Sequence, residues 1–241
     1  MQHNALHTID GIDILALAFF IGAWIAYAYV SQRISSSRST LFSVVNSYRL
    51  KWMKQMLKRE IRIADMTAVS NLLKSISFFA NTSIFIVLSV ITMFGYKSEA
   101  LAVISTIPYS STPSDLLWEI KLFLIILIFV YAFFKFTWSL RQYNYTSIFI
   151  SAAPQPDEHV EHHESIAQAG AGLMTSAGRH FNLGIRAYYY GLAAFTWFIH
   201  PLLFLVVTAI VVAVLYRREF HSNAYASLAI YEDFKKEHNN A

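Results

Sequence analysis

Four apolar runs without an Asp, Glu, Lys or Arg, at residues 14–30, 75–96, 122–134 and 187–216, limit what this chain can fold into. A helix needs about 20 mostly apolar residues to cross the roughly 30 Å hydrocarbon layer, and a small soluble core has no room for four such segments. Composition agrees. The chain is 56% hydrophobic and 14% charged, with a mean hydropathy of +0.42, whereas a soluble domain is nearer a quarter charged. The fold class expected is all-α: a polytopic membrane protein with four transmembrane helices. A long amphipathic cytoplasmic helix leads into the second of them, and the whole reads as one membrane domain over residues 1–241.

The spans expected are 11–30, 75–96, 116–140 and 187–216, with loops at 31–74 and 141–186 and a tail at 217–241. Asp10 and Asp13 stand at the start of the first, where carboxylates favour the positive end of a helix dipole. Residues 1–8 carry no Lys or Arg, so the positive region of a cleavable signal peptide is missing and the first run reads as a retained span. The third is the least clean. Thr112, Pro113 and Asp115 supply an N-cap, a first-turn proline and a capping-box acid, with Lys121 and Lys135 snorkelling toward opposite interfaces. As one helix the fourth run is about 45 Å long, so it must tilt, bend at Pro201 or project from the membrane.

Orientation follows from Lys and Arg. Thirteen fall between spans one and two or between spans three and four, against six elsewhere. The positive-inside rule then puts the thirteen in the cytoplasm of a bacterial-type inner (plasma) membrane, with N- and C-termini outside.

Residues 41–73 read as one amphipathic helix. Lys51, Lys54, Lys58 and Arg62 share a face at spacings of three and four, suited to anionic headgroups or an acidic partner; nucleic acid is not expected. Arg59 falls in the opposite, apolar sector with Trp52, Met56 and Ile63. Asp65 and Glu60 lie elsewhere on that wheel, so its partner is expected from another segment. In the second cytoplasmic loop His159 and His163 are one helical turn apart among acidic residues, a weak metal candidate that matches no recognised ligand spacing. Residues 167–178, dense in Ala and Gly, read equally as a close-packed helix or a loop.

Polar residues at membrane depth form the remaining candidates. His200 precedes Pro201 inside the fourth run; it is either a proton relay or ligand, or a neutral imidazole bonded structurally. Pro201 has no N–H to give the Trp197 carbonyl, which leaves an acceptor nearby. Asn81 in span two and Glu119 at the outer end of span three complete a conceivable polar pathway with His200. Gly22 and Ala26 form a small-xxx-small pair suited to close helix contact. The chain has no cysteine, which removes disulfides, Cys-ligated metals and cysteine nucleophiles. A bis-histidine haem lacks its second core histidine. No cofactor is expected, and Arg59, Arg179, His180 and His200 are only loose candidates for an acid–base cluster, so a membrane enzyme ranks third.

At the level of whole strings the chain resembles a family of uncharacterised membrane proteins, domain of unknown function 599 (DUF599). The strings are Trp52-Met53-Lys54-Gln55-Met56, residues 59–65 (REIRIAD), Ser77-Phe78-Phe79-Ala80-Asn81-Thr82, Gly178-Arg179-His180-Phe181-Asn182, Trp197-Phe198-Ile199-His200-Pro201 and Tyr216-Arg217-Arg218-Glu219-Phe220. The resemblance implies an integral-membrane fold and no activity, so no catalytic residue transfers from it. The leading expectation is a non-enzymatic scaffold or accessory subunit, bound to membrane lipid and to itself or a membrane-protein partner. The alternative is an oligomeric small channel or transporter with His200, Asn81 and Glu119 near its pathway.

Overall fold

A computed structural model describes residues 10–37, 40–106, 113–158 and 162–228. Among them the chain is all-helical: α1 (Gly11–Ser37), α2 (Leu41–Met56), α3 (Ile63–Thr92), α4 (Lys97–Ile104), α5 (Asp115–Ala152), α6 (His163–Thr196) and α7 (Pro201–Phe220). Four stretches are long and apolar enough to cross a membrane: Gly11–Ser31, Ile63–Thr92, Asp115–Ala152 and Pro201–Leu228. Their large side chains face outward in numbers no water-facing surface tolerates, among them Ile14, Ile25, Phe78, Phe85, Phe123, Leu127, Phe134 and Val206. The fold is that of a polytopic membrane protein.

Local chemistry sets the helix ends. At α2, Thr40 Oγ1 accepts from the Ser43 amide at 3.2 Å while Ser43 Oγ accepts from the Thr40 amide at 2.8 Å, a reciprocal capping box. At α5 the cap is Ser114, whose Oγ accepts from the Leu117 amide at 3.3 Å. That is two residues later than expected, and Thr112 lies outside the described residues. This helix also continues to Ala152 instead of ending near residue 140.

Two further expectations are revised. The single helix over 41–73 is interrupted at residues 57–62, because Arg59 and Arg62 there leave the helical register to reach partners described below. The uncharged run 187–216 is also not one helix. Its first part ends α6, residues 197–200 form a turn, and α7 begins at Pro201, whose missing N–H suits the first helical position. The Ala- and Gly-dense residues 167–178 are helical, within α6.

The chain divides into two compact units. Unit 1 comprises Met1–Gln32, Ala80–Phe134 and Leu183–Val214. Its core is aromatic: Trp24 stacks on Tyr190 at 4.6 Å, Phe20 meets Tyr190 edge-on at 5.5 Å, and Trp197 stacks on Phe204 at 5.1 Å. Gly191 admits this packing, since a Cβ there would stand 2.8 Å from the Phe129 ring.

Unit 2 comprises Arg33–Phe79, Lys135–Asn182 and Leu215–Ala241. Here α6 buries a face of small residues, Ala167, Gly170, Ala171 and Ala177, and the Ala177 carbonyl accepts from buried Ser139 Oγ at 2.7 Å. Gly178 leaves room for the Arg49 guanidinium, which bonds Asn46 and Tyr143 and lies 5.5 Å from the Phe42 ring. Burial lowers the pKa of that guanidinium, and the Tyr143 phenol opposes the shift. The sequence marked Arg49 only as one basic residue among many.

Candidate functional site

In unit 1 the polar residues gather around Trp197. Lys121 and Asp13 are both buried, with side chains 1% and 8% exposed, and Lys121 Nζ stands 4.0 Å from Asp13 Oδ1. Lys121 donates to the Trp197 carbonyl at 2.8 Å, while the Trp197 indole N–H donates to Asp13 Oδ1 at 2.7 Å. The carbonyl that Pro201 leaves open is thus taken by a lysine, not by His200. Lys121 was expected to snorkel outward; the free carbonyl and the carboxylate hold it inside instead. A lysine beside an otherwise uncharged run was the one signal of it in the sequence.

His200 serves the next turn. Its Nδ1 accepts from the Leu202 amide at 3.1 Å, capping an orphan N–H of the first turn of α7. Asn81 and Glu119 are exposed and make no hydrogen bond or ion pair with His200 among the described residues. A groove of about 350 Å³ in this unit is lined by Phe20, Ile21, Trp24, Ile25, Leu124, Leu127, Ile128 and Tyr131, and none of the three borders it. Arg186, another residue the sequence did not single out, donates to Ser31 Oγ at 3.1 Å and lies 5.1 Å from the Tyr27 ring. Gly22 and Ala26 are exposed, with nothing within 4 Å of where a Gly22 Cβ would stand.

Unit 2 holds the basic residues singled out in the sequence, and they do not act as one stripe. Arg62 turns to the C-terminal end of α5, donating to the carbonyls of Ile150, Ala153 and Pro154 at 3.1, 2.7 and 2.5 Å. Lys51 lies 4.8 Å from the Tyr48 ring. Lys54 pairs with Glu164 at 2.7 Å, and Glu164 also accepts from Gln168 at 3.2 Å. These contacts, Lys54 first, hold the Glu164 carboxyl below its ordinary pKa. Lys58 is exposed. A cavity of about 580 Å³ opens between Lys54, Gln55, Leu57, Lys58, Pro156, His163 and Glu164.

Arg59 finds its partner nearby, contrary to the wheel. It donates to Asp65 Oδ1 at 2.5 Å, and Trp52 Nε1 donates to the same oxygen at 2.6 Å. The wheel assumed a continuous helix; the break at 57–62 brings Arg59 back toward the start of α3. Arg179 is exposed on α6. Its neighbour His180 has a buried Nδ1 without a partner among the described residues and lies 6.2 Å edge-on from Trp138. Burial, then Lys135 and Arg179, lower the His180 pKa. Arg59, Arg179, His180 and His200 share no hydrogen bond or ion pair with one another among the described residues. His159 lies outside those residues, and among them no group of three His, Cys, Asp or Glu is placed to hold a metal ion.

Charge is unevenly divided. Of the described Lys and Arg residues, thirteen belong to unit 2, including Arg217 and Arg218, and three to unit 1. Those three, Lys97, Lys121 and Arg186, all bond within unit 1: Lys97 to Asp115, the others as above.

No curated protein and no solved structure matches the chain. A family match covers residues 15–224, most of the chain and all of the strings on which the resemblance rested. The chain belongs to that family, described as protein of unknown function, DUF599.

Proposed function

We propose that the protein is a non-enzymatic scaffold or accessory subunit of a membrane assembly. One observation carries this reading: the two buried charges of unit 1, Asp13 and Lys121, are consumed in bonds that fix helices to one another. Asp13, Lys121 and Trp197 bond among themselves, and His200 caps α7. A pathway would keep such groups facing a water-filled space, and buried charges that are paired are more often structural. Surfaces for association remain. Gly22 and Ala26 present a small-residue face on α1 that no described part of the chain covers. Lys51, Lys54 and Lys58 present charge at the end of α2 for anionic lipid or an acidic partner.

The division of charge supports an orientation. By the positive-inside rule the loops of unit 2 belong in the cytoplasm, of a bacterial-type inner (plasma) membrane on this reading. The four spans return the chain to the side it starts from, so the N- and C-termini both stay outside on this reading. The cysteine-free background makes the test direct. A cysteine at position 54 should react with an impermeant reagent only after the cells are opened, and cysteines at positions 99 and 222 in intact cells. Labelling of position 54 from outside overturns the orientation.

Gentle native extraction with mass analysis tests the function. A stoichiometric membrane-protein partner, lost in Gly22→Leu or in Lys51→Glu/Lys58→Glu, is the expected result. A partner-free homo-oligomer that conducts ions in liposomes, and stops doing so in Asn81→Leu, overturns it in favour of the channel.

A further inference from the structure

The cavity of unit 2 gathers donors that nothing in the fold uses. Lys54, in the last turn of α2, and Lys58, in the turn beyond its end, line it together and bring two ammonium groups to one space. Glu164 pairs with Lys54 at 2.7 Å. Lys58 has no acidic partner among the described residues, and neither the Gln55 amide nor the His163 ring makes a hydrogen bond there. One ammonium, one amide and one imidazole thus border a single space with their hydrogen-bonding capacity unspent, beside a second ammonium that shares its charge with one carboxylate.

Leu57 and Pro156 give the same space an apolar wall. Its volume, about 580 Å³, is within the usual range of small-ligand sites and exceeds what a bare inorganic anion fills. Lys54, Lys58 and Glu164 together give the lining one positive charge in excess. A cation is disfavoured by the two lysines, and a metal has only His163 and Glu164 as ligands. A compact oxyanion carrying a larger, partly apolar body satisfies every open group: its oxygens accept from Lys58, Gln55 and His163, and its body lies on Leu57 and Pro156.

We propose that this cavity binds the phosphate group of a phosphorylated ligand, either a phospholipid headgroup or a soluble phosphate ester, with Lys58 and His163 as the principal contacts. The assignment goes beyond the accessory-subunit reading and does not require a protein partner. Both residues are exposed and lie outside the packed core, so Lys58→Gln and His163→Gln are expected to fold as the wild type does.

The test uses the full chain in nanodiscs of neutral phosphatidylcholine. Glycerol phosphate and inorganic phosphate are titrated against the thermal midpoint, with acetate as the control anion. In a second arm the discs contain phosphatidic acid, and native mass spectrometry counts the lipid retained. The soluble source predicts a rise in midpoint with glycerol phosphate and an apparent Kd at least tenfold weaker in each variant, with Arg141→Gln unchanged. The lipid source predicts retained phosphatidic acid in the wild type, lost in both variants. Equal responses in wild type and variants, or none to any phosphate probe from a folded protein, overturn the site. A protein partner still recovered by native extraction in that case leaves the accessory-subunit reading standing, so the two failures are distinguishable.

Discussion

Lys121→Met is the sharpest perturbation of the buried group in unit 1. At 4.0 Å the attraction between Lys121 and Asp13 is about 4 kcal/mol for an effective dielectric of 20, most of it offset by the desolvation of both ions. The net value of the pair is small, yet breaking it from one side is costly. Without the lysine, the Asp13 carboxylate keeps only the Trp197 indole N–H, and the Trp197 carbonyl loses its donor. A broken buried pair costs about 3–5 kcal/mol, and an orphaned carbonyl about 1–3 kcal/mol within that sum. Lys121→Met is therefore expected to destabilise by about 3–5 kcal/mol, and Asp13→Leu by a similar amount. The double substitution removes both charges and orphans both the Trp197 carbonyl and the Trp197 indole N–H. It is expected to cost about 2–6 kcal/mol, less than the sum of the two single changes. Unfolding in mixed micelles by titration with a denaturing detergent, followed by circular dichroism, gives the three values. Additive costs would refute the reasoning, because the charges would then be solvated separately instead of holding each other.

Other perturbations follow from single contacts. Arg62→Gln removes most of the bonding to the Ile150, Ala153 and Pro154 carbonyls; about 2 kcal/mol of stability and faster amide exchange near the end of α5 are expected, read by hydrogen–deuterium exchange. Gly191→Leu drives a side chain into the Phe129 ring of a packed aromatic core and is expected to cost at least about 1–3 kcal/mol in the same detergent titration. His180 has a lowered pKa in the fold, so the unfolded chain binds the proton more readily. Its contribution is present above the ordinary histidine pKa of about 6.5 and is lost as pH falls below it, down to the depressed folded value. Melting curves from pH 7.5 to 5 should show that loss in the wild type and less of it in His180→Gln.

The membrane character was legible because it depends on sums over many residues. The first two spans announce themselves as uncharged runs, and charge-free length is what a bilayer selects. What failed to read through were the places where one side chain overrides a pattern. The wheel for residues 41–73 placed Arg59 far from Asp65, but the helix gives way at 57–62 so that two arginines reach a carboxylate and three carbonyls. Such breaks carry neither Gly nor Pro here, so no local signal marked them. Pro201 did mark the open carbonyl at Trp197, and the break beside it was legible as a bend. Which residue would fill the carbonyl was not, since Lys121 lies 76 residues away. The cavity was equally hidden, because it joins the end of α2 to a loop proline and the first turn of α6.

The bonds around Trp197 also set an order of events during synthesis. Asp13 and Trp197 are 184 residues apart, so at 5–20 residues per second about 10–40 s pass between their appearances. Through that interval α1 and then α5 enter the membrane carrying a carboxylate and an ammonium whose shared partner has not been made. The nascent protein is therefore at its most vulnerable to membrane proteases and misinsertion late in translation. Ribosomes stalled before residue 197 should leave a degradable fragment, and those stalled after it a resistant one.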